Sequence, residues 1–310
     1  MDKTMNGYGS FFYSLDKIKL TGRIRHAPPT FQGSFFNYVN TWVSLRLPDG
    51  FDLVNAGECL LPFRYRFWFD IRRKDDKEGT FHIEQSYNGD FKETRRIPEA
   101  FQVDFNPNKS GALVWESFCN YFTFTVCDIK KFDIAYDLPG GDIREVYPDT
   151  KADIMRYGKT TCQTLYIAPK AESGRVKVYQ KDAEREAKGQ ATDKTLRIEC
   201  TIRPRRLYRT SSLVTPQDLE PFETATTHLN AVKIRAPSAD APDDWKLFAL
   251  SRLSPEDLEK VLSMMGHNAR MKYRKQLLTD DTTVSLNLDP FTLYMQCIKL
   301  LTPWIERMKL

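Results

Sequence analysis

Three segments carry apolar residues at every second position opposite a mainly polar, charge-bearing set, and this limits what the chain can build. They are Phe132-Asp133-Ile134-Ala135-Tyr136-Asp137, Arg175-Val176-Lys177-Val178-Tyr179 and Leu196-Arg197-Ile198-Glu199-Cys200-Thr201-Ile202. In a strand, residues i, i+2 and i+4 share a face. Asp133, Ala135 and Asp137 therefore lie together, with Ile134 and Tyr136 opposite. Arg175, Lys177 and Tyr179 share a side with Val176 and Val178 behind them, and one further step of strand adds Lys181. Arg197, Glu199 and Thr201 share the third polar side, backed by Leu196, Ile198 and Cys200. Side by side in one sheet, the three segments gather Asp133, Asp137 and Glu199 beside Arg175, Lys177, Tyr179 and Lys181.

The flanking sequence supplies more strands and their turns. Residues 41–47, 64–71, 80–84, 101–105 and 163–167 read as strands. Turn signals stand at Pro48-Asp49-Gly50, Asn88-Gly89-Asp90, Asn106-Pro107-Asn108, Pro139-Gly140-Gly141 and Ser173-Gly174. A short helix is expected from Gln180 to Lys188, ended by Gly189. After Arg209 the pattern changes. Thr215-Pro216-Gln217-Asp218 and Ser254-Pro255-Glu256-Asp257 are helix starts, each with a capping residue, a proline and an acid in the first turn. Leu258, Val261, Leu262 and Met265 then recur at helical spacing, and residues 234–244 read as a linker or exposed loop. The expected fold class is α+β: an antiparallel sheet, or two related halves of one, with helices on one face. Residues 1–209 form a β-rich domain, and 210–310 form a mainly helical region for DNA or partner binding.

Composition excludes several classes. The 310 residues hold 46 Lys+Arg against 41 Asp+Glu, a net of +5, which permits a polyanionic partner without requiring one. Mean hydropathy of −0.51 and the shortness of every apolar run argue against a membrane-spanning helix. The start of the chain lacks the basic-then-apolar pattern of a secretory signal. Six scattered cysteines without a Cys-x-x-Cys pair fit a reducing cytoplasm rather than a disulfide scaffold or zinc ribbon. The four histidines are isolated, with no HExxH and no His-hydrophobic-His pair, so a bound metal is expected to rest mainly on carboxylates.

The polar face suggests a chemistry. Three carboxylates suit a hard divalent cation such as Mg²⁺ or Mn²⁺. Positive neighbours favour phenolate, so Lys177 and Lys181 are expected to lower the pKa of Tyr179 and make it a nucleophile. Cations and a metal stabilise charge on a phosphodiester under attack. Spacing alone leaves plainer outcomes open. Asp133 and Asp137 could be a solvated strand face, Glu199 an exposed ion pair and Tyr179 a packing residue. The run Arg203-Pro204-Arg205-Arg206-Leu207-Tyr208-Arg209 reads equally as a phosphate-contacting arm or as a solvated loop.

The order of the segments resembles the replication initiation factor family, rolling-circle initiators of small plasmids and some phages that lack the His-hydrophobic-His motif. The resemblance rests on Phe101–Lys109, Phe132–Asp137, Thr164–Ala168, Arg175–Lys181 with Glu184, and Leu196–Glu199, about a third of the chain. It implies an origin-specific, metal-dependent DNA nickase and ligase working through a 5′-phosphotyrosine. The motif Tyr179-Gln180-Lys181 would supply the nucleophile Tyr179 with Lys181 beside it. Asp133, Asp137 and Glu199 would hold Mg²⁺ or Mn²⁺. DNA contacts would fall to Arg175, Lys177, Lys170, Arg203, Arg205 and Arg206, with Tyr166 and Trp68 stacking on bases. The implied partners are plasmid or phage origin DNA with a single-stranded or hairpin nick site, a host helicase and polymerase, and a second copy of the chain as a homodimer. The implied location is the cytoplasm, without membrane attachment. There are departures from the family pattern. Phe132 stands where the family has arginine, Ala168-Pro169-Lys170 where Gly-Ser-Arg is common, and Tyr166 is an alternative nucleophile. A conjugative relaxase with the same chemistry, and a non-catalytic DNA-binding regulator, are the rival functions.

Overall fold

The computed structural model describes the chain except residues 1–9, 25–33, 62–63, 89–99, 159–163, 170–172, 191–192, 208, 236–244, 278–282 and 308–310. The elements run β1 (Phe12–Ile24), α1 (Ser34–Arg46), β2 (Phe51–Leu61), β3 (Arg64–Arg73), β4 (Phe81–Asn88), β5 (Ala100–Phe105), α2 (Gly111–Tyr121) and β6 (Phe124–Pro139). Then come β7 (Val146–Pro148), β8 (Ile154–Tyr157), β9 (Thr164–Ile167), β10 (Arg175–Gln180), α3 (Lys181–Glu186) and β11 (Thr195–Ile202). The rest is α4 (Pro216–Asn230), β12 (Val232–Arg235), α5 (Trp245–Ser251), α6 (Pro255–Met264), α7 (His267–Leu277), β13 (Thr283–Val284) and α8 (Pro290–Glu306). The fold is α+β with antiparallel sheet, as the alternating segments require. Two compact units draw on separate stretches of chain: 15–134 with 202–219 and 294–310, and 1–14 with 135–201 and 220–293.

In the first unit the sheet order is β2-β3-β4-β5-β1. Its core is aromatic. Trp115 of α2 stacks on Phe105 at 5.7 Å between ring centroids, and Phe118 meets Phe101 edge-on at 5.4 Å. Such large rings bury much apolar area per residue and interlock through edge and offset contacts. Of residues 41–47, expected as a strand, 41–46 belong instead to helix α1. Val39 and Trp42, three apart, are both fully buried, and Trp42 meets Phe118 edge-on at 5.2 Å. Helical spacing of two buried side chains overrode a partial period of two. The Pro48-Asp49-Gly50 turn forms, with Gly50 at φ +80°. Asn106 stops β5 by accepting the Asn108 N–H on its Oδ1 at 2.8 Å.

In the second unit β11, β10, β9 and β8 pair antiparallel in that order, with the end of β6 beside β11. Val176, Val178, Leu165, Ile198 and Cys200 are buried along the back of these strands. A small sheet, β13-β12-β7, lies in the same unit, and its β12 takes up residues 234 and 235, the start of the expected linker. The rest of that linker, 236–244, lies outside the described residues, as does Gly89-Asp90. Helix α4 packs against the Ser173-Gly174 turn. Gly174 has φ +82°, and a Cβ there would stand 2.8 Å from the Ala225 backbone nitrogen. The His228 ring bonds the Gly174 carbonyl at 2.9 Å. Ser254 caps α6 by accepting the Asp257 N–H, and Leu258 and Leu262 are buried as the helical spacing requires. Among the described residues no helix is long and apolar enough to cross a membrane.

Candidate functional site

The register of β10 and β11 sets Lys177 opposite Glu199, Tyr179 opposite Arg197 and Arg175 opposite Thr201. On the other side of β10, Tyr166 of β9 faces Lys177 and Thr164 faces Tyr179. The alternation read from the sequence is kept, because the valines and isoleucines behind it are fully buried. Six of the expected site residues, Arg175, Lys177, Tyr179, Glu199, Asp137 and Tyr166, thus join Arg197 on one polar wall.

The contacts across that wall are short. The Tyr179 hydroxyl donates to Glu199 Oε1 at 2.5 Å, and Lys177 Nζ reaches Glu199 Oε2 at 3.3 Å. Lys177 Nζ lies 3.8 Å from the centroid of the Tyr179 ring. Lys181 opens α3 rather than extending β10, yet its Nζ stays 5.6 Å from the same centroid. It is held at 2.7 Å by Glu184, which also bonds Lys188 at 2.8 Å. Burial works against the Glu184 carboxylate, but the two lysines outweigh it and hold its pKa at about 2. Between Tyr179 and Lys181, Gln180 fixes the strand end. It accepts the Ile143 N–H and donates to the Gly141 and Thr195 carbonyls.

Tyr179 corrects one expectation. Its pKa is raised, not lowered. Burial comes first, followed by the Glu199 charge and the hydrogen bond to Glu199, then Glu184; Arg197 pulls the other way. The side chain is only 7% exposed. Burial and the carboxylates near the hydroxyl outweigh Arg197, so the resting group is a neutral phenol with a base already in contact.

The acids do not converge as a ligand set. Asp137 accepts two bonds from Arg197, Nε to Oδ1 and Nη2 to Oδ2, each at 2.6 Å. Glu199 is shared by Tyr179 and Lys177. Asp133, half-buried on the same side of β6 as Asp137, has Lys131 Nζ at 3.8 Å. Among the described residues no group of three or more His, Cys, Asp or Glu stands close enough to hold a metal ion. Carboxylates already matched with arginine, lysine and phenol do not fit a hard cation as they stand. The arginine that claims Asp137 was visible as a member of the polar face, but its partner was not. Position 197 shares the face of 199, and only the placement of β6 next to β11 shows which acid it meets.

Around this core, the Arg175 guanidinium covers the Tyr166 ring at 4.2 Å, and Tyr157 meets Tyr166 edge-on at 5.5 Å. Tyr157 is 56% exposed. In the first unit, Arg205 and Arg206 are exposed and line a cleft of 310 Å³ together with Asp128, while Arg203 is half-buried. Arg209 pairs with Glu306 at 3.1 Å. Trp68 does not stand free for stacking, because its indole lies directly over Gly57 of β2. Lys170 lies outside the described residues.

No family model matches the sequence, and no curated protein matches it. Among solved structures, a rolling circle replication initiator protein from Geobacillus stearothermophilus is similar over 81% of this chain and 97% of that one. The identity is 16% and the TM-score 0.38. At that level of likeness the chemistry of the site rests on this chain's own residues.

Proposed function

We propose that this chain is a rolling-circle replication initiator that nicks and rejoins origin DNA through Tyr179. One observation carries the reading: a phenol in hydrogen-bond contact with a carboxylate at 2.5 Å, with Lys177 over the ring. A nucleophile with its general base in contact would be arranged in this way. Glu199 takes the phenol proton as Tyr179 Oη forms a bond to phosphorus. The P–O3′ bond breaks, and the leaving 3′ oxygen takes a proton from water. The product is a 5′-phosphotyrosine and a free 3′ hydroxyl; reversal rejoins the strand. Lys177 and Arg175 would offset charge on the phosphate. The exposed Tyr157, backed by the Arg175-covered Tyr166, would offer a ring face to an unpaired base. Mg²⁺ or Mn²⁺ belongs to this reading only if Asp137 and Glu199 give up their present partners. A helicase, a polymerase and a second copy of the chain are partners it would call on.

A second reading is favoured by the 7% exposure of Tyr179. A nearly closed phenol bonded to a carboxylate is also what a packed, non-catalytic DNA-binding sheet would contain. A conjugative relaxase would share the chemistry and differ in its DNA. Incubation with supercoiled origin plasmid and Mg²⁺, followed by mass spectrometry of the DNA-linked peptide, separates these. An adduct on Tyr179 that Tyr179→Phe removes supports the proposal, and an adduct on Tyr166 moves the nucleophile. DNA binding without any adduct leaves the regulator.

A further inference from the structure

Helices α5, α6 and α7 build a small core of their own from Leu250, Leu258, Leu262, Tyr273 and Leu277. The turn from α6 to α7 is only Met265-Gly266, with Met265 extended at φ −84°, ψ 153°. Helix, tight glycine-containing turn, helix is the arrangement that offers a second helix to a groove. Helix α7 has the matching chemistry. Tyr273 and Leu277 bury one side. On the other side Asn268, Met271, Lys272 and Lys275, at i, i+3, i+4 and i+7, are all exposed. No acid occurs between Glu259 and Asp280, while Lys260, Arg270, Lys272, Arg274 and Lys275 fall within that stretch. Glu259 answers only part of this charge, pairing with Arg274 at 3.7 Å. Lys260 is spent on Glu256 and Asp257 within α6.

Like charges three and four apart destabilise an isolated helix, so this arrangement gains from an outside polyanion. A cleft of 440 Å³ beside α7 is lined by Tyr147, Asp149, Met271, Lys272, Arg274 and Lys275. Arg274 is fixed there by its bond to the Tyr147 hydroxyl. We propose that α7 is a duplex-DNA-binding helix, with Lys272 and Lys275 on phosphates and Asn268 directed at base edges. The partner follows from shape. A helix of about 10–12 Å fits the B-form major groove of about 12 Å. The deep, narrow major groove of A-form RNA does not admit it. A membrane surface would need the apolar side of α7, which is already buried in the three-helix core.

This site is separate from the Tyr179 wall and does not depend on its chemistry. The test titrates the full chain with labelled DNA duplexes of several unrelated sequences, and with an RNA duplex matching one of them, over a range of salt. Wild type is compared with Lys272→Ala/Lys275→Ala and with Lys260→Ala as a surface control, all checked for equal melting temperature. The double variant should bind the DNA duplex about tenfold more weakly, and its slope of log affinity against log salt should fall by about 2. Asn268→Ala should reduce sequence discrimination and leave the slope unchanged. Unchanged affinity and slope in the double variant overturn the proposal, and so does an RNA duplex bound as tightly as DNA. Adduct formation on a single-stranded oligonucleotide is scored in parallel. Its failure in wild type would remove the strand-transfer reading and leave the duplex result standing.

Discussion

The Arg197–Asp137 pair is the contact whose loss should be felt most strongly on the polar wall. The Arg197 side chain is 9% exposed and that of Asp137 25%, with two parallel bonds of 2.6 Å between them. Removing one member of a buried pair costs about 3–5 kcal/mol, because the other is left charged and uncompensated. Asp137 keeps some contact with water, so Arg197→Met should cost about 2–3 kcal/mol. Methionine retains most of the stem, so the loss reports the charge rather than a cavity. The change should appear locally in hydrogen exchange of peptides spanning β10 and β11. At about 1.4 kcal/mol per factor of ten, amides there should exchange about 30- to 150-fold faster. Asp137→Asn, alone and combined with Arg197→Met, completes a double-mutant cycle whose coupling should be about 2 kcal/mol. Single costs under about 1 kcal/mol with no coupling would mark the pair as solvent-screened. Asp137 would then be free to serve a metal, contrary to the placement described above.

Two other outcomes follow from the same unit. Gly174→Ala should destabilise by about 2–4 kcal/mol, since φ +82° strains an L residue and the new methyl group meets the Ala225 backbone at 2.8 Å. Thermal melting reads this, and a change within a few tenths of a kcal/mol would show that the turn and α4 adjust freely. Glu184 sets a pH dependence. Its pKa falls from an ordinary 4.5 to about 2 in the folded chain, so the stability it contributes is present above about 4.5 and lost as pH falls toward 2. Wild type should melt above Glu184→Gln at neutral pH, and the gap should close through that window. A gap of constant size at every pH would count against the Lys181 and Lys188 contacts.

The segments that carry the site were legible because strand alternation is a local property. Val176, Val178, Ile198 and Cys200 had to turn inward together, and Arg175, Lys177, Tyr179, Arg197 and Glu199 followed to the other side. The start of α6 at Ser254-Pro255 was equally local, since a capping hydroxyl and a proline act within one turn. Residues 41–47 misled because their alternation is partial, and the burial of Val39 and Trp42 is settled by α2, which is remote in sequence. The sign of the Tyr179 shift could not be read for a related reason. Sequence places lysines nearby, but a pKa depends on which atoms touch the hydroxyl and how much water reaches it.

Sequence alone therefore determined which side chains share the polar face and that cations and acids stand on it with a phenol. Periodicity of two leaves no other arrangement once one side is apolar. Only the tertiary structure decided the pairings: Glu199 on the Tyr179 hydroxyl, Arg197 on Asp137, and α7 with its lysines turned outward. Those depend on which strands become neighbours and on which side of a helix the core covers. Both are set by long-range burial, which no local pattern encodes.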